Sequence, residues 1–192
     1  MSEILTIDTT SGIVKEEVLD PLPLYNDQHP MLSQKIPEHD IRNLPNPVIT
    51  KLIKRMKMTM KAHNGLGLSA NQCGIFERLF IIGTEHFQLV CINPEIIDES
   101  PNKVKEEEGC LSFPGLSVKI ERPDWIMARY YNEEGKQVEV KMEGLTAKCY
   151  QHELDHMNGV KFTERVGPMA LQMAKQKQEK LIKKIKRLHK KL

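Results

Sequence analysis

Two histidines four residues apart, with a glutamate directly after the first, constrain this chain more than any other feature: His152-Glu153-Leu154-Asp155-His156. On a helix, side chains at i and i+4 lie one above the other, so both imidazoles can bind one metal ion. Glu153 can then reach a water held by that ion and act as general base. The bland alternative is a charged helix face with two surface histidines. A hydrolytic metal site also needs a third protein ligand and an open position for water. That ligand must come from elsewhere in the chain.

Four candidates compete for the position. The extended pattern HExxHxxGxxH finds Gly159 in register but Phe162 where its last histidine belongs, which disfavours that class of metalloprotease. Glu179 is far enough downstream for a glutamate ligand, yet it stands in a dense run of lysines. Cys149 precedes His152 by three residues, but it is seven from His156, or ~10.5 Å along a helix. A short cysteine arm and a histidine span that only in a near-straight line through the metal, which tetrahedral coordination forbids. Cys149 therefore reads as a neighbour lining a pocket, or as an inert buried thiol. Cys110, in Glu108-Gly109-Cys110-Leu111-Ser112, is bounded by glycine and set between strands, and can lie against the helix from across the fold. The ligand set would be Cys110, His152 and His156.

The rest of the chain is read around this helix. Asn46 caps a helix to about His63: Pro47 suits its first position, Ile49, Leu52, Ile53, Met56 and Met60 recur at helical spacing, and Asn64-Gly65 ends it. Short strands follow at Leu79 to Ile82, Leu89 to Asn93, Leu116 to Glu121, Trp125 to Tyr131 and Val138 to Met142. A second helix runs from about Leu145 to Met157, and a third from Pro168 almost to the end, with Leu171, Ala174, Leu181, Ile182, Ile185, Leu188 and Leu192 on one stripe. Helix, strands, then helices predict an α+β fold. At 192 residues one domain, 1–192, is expected. Residues 1–22 are an extension without an assigned role, although Ile4 to Ile7 could be strand.

Composition narrows the partners. No apolar run approaches a membrane span, and the N-terminus lacks a secretory layout and carries early acids such as Glu3, Asp8, Glu16 and Glu17, so cytoplasm is expected. Cys73, Cys91, Cys110 and Cys149 form no CxxC pair, so metal binding or plain burial is expected rather than a disulfide framework. Residues 175–192 hold nine basic residues against Glu179, a net +8; with the whole chain at +2, residues 1–174 carry −6. An acidic body with a basic tail points the tail toward a polyanion.

Three ordered motifs resemble those of peptide deformylases. Gly65-Leu66-Gly67-Leu68-Ser69-Ala70-Asn71-Gln72 is similar to GxGxAAxQ, Glu108-Gly109-Cys110-Leu111-Ser112 to EGCLS, and Gln151-His152-Glu153-Leu154-Asp155-His156 to QHExDH. The resemblance covers about Pro23 to the C-terminus, and Ser69 departs from it where the pattern has alanine. It implies short, mainly antiparallel strands packed around a central metal-binding helix, with a C-terminal helix at 168–192. It implies metal at Cys110, His152 and His156, usually iron(II), with zinc, nickel or cobalt able to replace it. Glu153 would take a proton from the metal-bound water and return it to the leaving amine. The Gln72 amide and Leu111 N–H would stabilise the oxyanion, Leu66, Gly67 and Gly109 would align the substrate backbone, and Leu145 and Cys149 would line its pocket. The implied substrate is the formylated methionine of nascent chains, with the ribosome meeting the basic helix and neither membrane nor DNA as partner.

Two other readings stay open. A zinc endopeptidase would share the His-Glu-His helix without needing Cys110. A non-catalytic, metal-stabilised RNA-binding protein would use the ligands and the tail without needing Glu153. A dinucleotide loop at Gly65, Gly67 and Ala70 is rejected, because the segment follows a helix and precedes a strand instead of the reverse.

Overall fold

The computed structural model describes residues 3–7, 14–84 and 86–189. Asp8, Lys190, Lys191 and Leu192, used in the arguments above, lie outside them. Strands β1 (Glu3–Ile7) and β2 (Val14–Val18) form an antiparallel hairpin. Then come α1 (Pro47–Ala62), β3 (Gly67–Ser69), β4 (Leu79–Gly83), β5 (Gln88–Glu99), β6 (Lys103–Gly109), β7 (Ser117–Pro123), β8 (Trp125–Tyr131) and β9 (Gln137–Glu143). Helices α2 (Gly144–Met157) and α3 (Pro168–His189) complete the order. Five strands make an antiparallel sheet in the order β3-β4-β5-β8-β9, and β6 pairs β7 in a separate ribbon. The fold is α+β, as expected. Among the described residues no helix is long and apolar enough to cross a membrane.

Strand β4 shows why its sequence is continuously apolar. Leu79 and Ile81 face α1, with Ile53, Met56 and Met60, while Phe80 and Ile82 face α2, with Tyr150, Leu154 and Met157. A strand buried on both faces cannot alternate polar and apolar residues. Each such side chain contributes roughly 1.5–3 kcal/mol on burial. A third core, of Phe113, Leu116, Val118, Ile120 and Phe162, joins the β6–β7 ribbon to the first turns of α3 through Leu171 and Ala174.

Three strands were not anticipated, the first being β2, in the N-terminal stretch left without a role. Strand β6 reads Lys-Val-Lys-Glu-Glu-Glu-Gly, residue types that disfavour strands. It forms because its partner β7 offers seven successive pairs, from Lys103–Pro123 to Gly109–Ser117, and only Glu108 of β6 is buried. Strand β3 is three residues long, too short for a periodic signal. The stripe on α3 is also only partly used: Leu171 and Ala174 pack, whereas Leu181, Ile182, Ile185 and Leu188 are 38–55% exposed. Gln178 Nε2 donates to Pro114 O at 2.8 Å, and Leu181 lies beside Gly115. Contacts with the body thus run through the first two-thirds of the helix.

Helix α2 is held from three sides. Tyr150 is fully buried, and its hydroxyl reaches the carbonyls of Glu95 and Arg129, both at 3.1 Å. At the C-terminal end, Asn71 Nδ2 donates to His156 O at 2.7 Å and Arg78 to Met157 O at 3.0 Å, occupying carbonyls that a helix end leaves open. On the third side, the buried Arg122 guanidinium donates to Glu108 Oε1 at 2.6 Å and Oε2 at 3.0 Å, and to Asp155 Oδ2 at 3.0 Å. Arg165 closes the network on Asp155. One cation so ties the ribbon to α2.

Removing one member of a buried ionic network strands its partners and typically costs ~3–5 kcal/mol. Arg122→Met should lower the unfolding free energy by about that much in a urea titration near pH 7; a loss under ~1 kcal/mol would mean the network does not hold α2. Burial works to raise the Glu108 carboxyl, but hydrogen bonds from His152 and Arg122 outweigh it and hold it at about 2, against an ordinary 4.5. A depressed acid stabilises the fold above its unfolded value and loses that contribution as pH falls through its folded one. The acid-side loss of stability, from about 4.5 down to about 2, should therefore flatten in the variant.

Candidate metal and active site

The two histidines project from α2 one turn apart, with ring centroids 5.2 Å from each other. Cys110 follows the last residue of β6, where the chain turns so that Phe113 N donates to Cys110 O at 2.9 Å. The turn brings Cys110 Sγ to 3.3 Å from His156 Nε2. One ligand atom from each of Cys110, His152 and His156 falls within 4.8 Å of the others, the only such group of three among the described residues. Tetrahedral coordination with bonds of 2.0–2.3 Å separates ligands by roughly 3.3–3.8 Å, so small side-chain adjustments close the site on an ion.

Protonation chemistry points the same way. Glu108 Oε2 lies 3.1 Å from His152 Nδ1, and a carboxylate can only accept there, so Nδ1 carries a proton and Nε2 is free to ligate. Burial opposes charge on His152, yet hydrogen bonds to Cys110 and Glu108 prevail and raise it to about 10. Burial, with the charges of His152 and Arg122, pushes His156 well below its ordinary value. The pocket thus attracts one positive charge beside a thiol and a neutral imidazole. A divalent cation suits that sulfur–nitrogen donor set, so the residues present fit a metal of the zinc or iron(II) type.

Glu153 is 4% exposed, and its Oε2 has no protein partner. Burial pushes its carboxyl up to about 7, partly offset by the charge of His152 and by the Ser69 hydroxyl. A carboxyl poised near neutrality suits proton exchange. Gln72 sits in a 3₁₀ turn (Ala70–Cys73) just after β3, buried, with Nε2 donating to Ser112 Oγ at 3.1 Å and Cys110 Sγ at 3.4 Å.

A cleft of about 550 Å³ opens over these groups. Ten of the eleven residues selected from sequence line it: Leu66, Gly67 and Gln72 on one side, Gly109, Cys110 and Leu111 on another, and Leu145, Cys149, His152 and Glu153 along α2. His156 is buried outside the lining. Leu66 and Leu145 are exposed on the lips, and burial raises the half-buried Cys149 thiol to about 11. Gly65 and Gly67 are required by packing. A Cβ at Gly67 would collide with the Glu153 carboxylate, and one at Gly65 would lie 2.7 Å from Leu111 Cδ1.

Sequence reasoning missed Arg122, and it treated Glu108 only as part of a motif. Period-two alternation sets Glu108 apart from Glu107 in a strand, a signal available only once β6 is known to be one. Lys148, paired with Glu106 at 2.7 Å, and Phe113 also line or flank the cleft unannounced.

This geometry has close counterparts among known proteins. The sequence profile of the family described as polypeptide deformylase matches residues 21–172. The peptide deformylase of Thermotoga petrophila is 40% identical over 139 residues, covering 72% of this chain and 85% of that protein. That of Aquifex aeolicus is 43% identical over 141 residues, with 70% and 83% covered. The crystal structure of the Thermotoga maritima enzyme superposes with a TM-score of 0.74 at 36% identity, covering 78% of this chain and all of that one. The Synechococcus elongatus peptide deformylase in complex with actinonin gives 0.78 at 33% identity, with 85% and 90% covered. With a match over most of its length and the same fold at that level of identity, this chain belongs to the polypeptide deformylase family.

Proposed function

We propose that this protein removes the formyl group from the N-terminal formyl-methionine of newly synthesised proteins, in the cytoplasm, using one divalent metal ion. The observation that carries the reading is the convergence of Cys110, His152 and His156 beside a buried Glu153 with an unpartnered oxygen, inside a cleft. Those three residues hold the ion, iron(II) in the native enzyme, with zinc, nickel or cobalt able to replace it. When bound, the ion supplies Lewis acidity, which makes a water nucleophilic near neutral pH and polarises the formyl carbonyl.

The remaining chemistry belongs to the chain. Glu153 takes a proton from the attacking water as the oxygen–carbon bond forms. It returns the proton to the amine nitrogen as the carbon–nitrogen bond breaks, releasing formate and a free N-terminus. Gln72 Nε2 and the Leu111 N–H donate to the formyl oxygen as it gains charge; such donors contribute ~2.7–4 kcal/mol each in comparable sites. Leu66, Gly67 and Gly109 align the peptide backbone, and Leu145 and Cys149 line the pocket for the first side chain. The basic end of α3, with Lys183, Lys184, Lys186 and Arg187, meets ribosomal RNA.

The metal assignment separates two cysteines. Cys110→Ala should lose most of the bound metal on purification, while Cys149→Ala retains it; equal retention would remove Cys110 from the ligand set.

Base catalysis is tested apart from binding. Glu153→Gln should keep its metal and lose turnover of a formyl-Met peptide by ~10²-fold or more. Wild type should leave acetyl-Met peptides and internal peptide bonds intact. Cleavage of casein would favour an endopeptidase instead.

For the tail, contacts to RNA phosphates weaken with salt because each releases condensed counterions. Removing residues 183–192 spares Gln178 and Leu181, which lie against the body. The truncation should weaken co-sedimentation with ribosomes at low salt and leave hydrolysis of a short formyl peptide within about twofold. Loss of that hydrolysis with ribosome binding intact would make the segment a structural clamp.

A further inference from the structure

One buried hydroxyl lies between two groups of the cleft. Ser69, at the end of β3, is fully buried. Its Oγ donates to Gln72 Oε1 at 3.0 Å, and its backbone N–H donates to the same oxygen at 3.0 Å. The Glu153 carboxyl, which the same hydroxyl helps to hold down, is its other neighbour.

An amide side chain can turn over unless its surroundings distinguish oxygen from nitrogen. Here they do. Both donors at the oxygen end come from Ser69, while Ser112 Oγ and Cys110 Sγ receive the nitrogen end. Turned over, Gln72 would set its NH₂ against a backbone N–H that can only donate. The backbone contact alone would be a single tether, about which the terminal torsion can rock, because sp³–sp² torsions are broad. The hydroxyl adds a second tether at the same oxygen.

We propose that Ser69 is a positioning residue for the deformylation reaction: its hydroxyl locks the Gln72 amide with its N–H groups toward the reacting centre. This rests on the reading of Gln72 as an oxyanion donor. Serine and alanine differ by one oxygen, and the backbone tether survives the change, so Ser69→Ala keeps the packing and the fold.

The test is a double-mutant cycle on the metal-loaded enzyme, with kcat and KM measured on a formyl-Met peptide for wild type, Ser69→Ala, Gln72→Ala and the double variant. Ser69→Ala should lower kcat roughly three- to tenfold, the worth of one hydrogen bond, with KM within about twofold. In the Gln72→Ala background the same change should do nothing further, since coupled residues are non-additive. The ¹H–¹⁵N signals of the Gln72 side-chain amide should shift or split in Ser69→Ala while the backbone pattern elsewhere is kept. Additive losses, or an unchanged kcat with unchanged Gln72 signals, overturn the proposal. If Gln72→Ala alone costs nothing, the oxyanion reading falls as well, and the cycle shows which of the two has failed.

Discussion

A guanidinium buried between two carboxylates organises this molecule. Arg122 arises in the β6–β7 ribbon, binds Glu108 on the neighbouring strand with two nitrogens and reaches Asp155 on α2 with the third. Through Glu108 the same charge reaches His152 Nδ1, so ribbon, helix and imidazole tautomer are fixed by one network. The turn that carries Cys110 leaves the ribbon one residue after Gly109, so the thiol inherits its position from the same anchor. A buried ionic network of this kind is costly to assemble and costlier to break. Its value here is geometric: two separately built cores meet at a defined distance.

The cleft follows from that meeting. Its lip at residues 65–67 belongs to the core under α1, its wall along α2 to the core on the sheet's other face, and its rim at 110–116 to the core that α3 covers. Each group then works in an environment set by a different neighbour. Glu153 is raised by burial, His152 is oriented by Glu108 at Nδ1, and Gln72 is oriented by Ser69 and Ser112. Gly67 is small because the Glu153 carboxylate fills the space a Cβ would need, a constraint independent of any substrate.

Much of this was legible in the chain. Spacing alone put both imidazoles on one helical face, and reach along a helix separated Cys149 from Cys110. Strand β8 was read from Trp125 to Tyr131, its observed span, because an apolar and aromatic stretch there ends at turn-forming Asn132. The illegible parts share a cause, in that they depend on partners distant in sequence. Strand β6 is made of poor strand formers and exists through β7. Strand β5 continues to Glu99 past its apolar stretch because β8 pairs with it through two irregularities. Arg122 looks like any charged residue near a strand end until Glu108 and Asp155 close on it. The outer stripe of α3 shows the opposite error, for amphipathic spacing records only what a helix could bury.

Strand β3 ends the five-stranded sheet, and it is three residues long. An exposed sheet edge invites any passing strand to add itself, and proteins commonly shorten such edges in defence. Of the three residues here, Ser69 already gives its N–H to Gln72 Oε1, so the edge offers an added strand almost no backbone ladder. An edge that offers so little cannot nucleate a ladder with a stray strand, so the mouth of the cleft is guarded against aggregation by its own brevity.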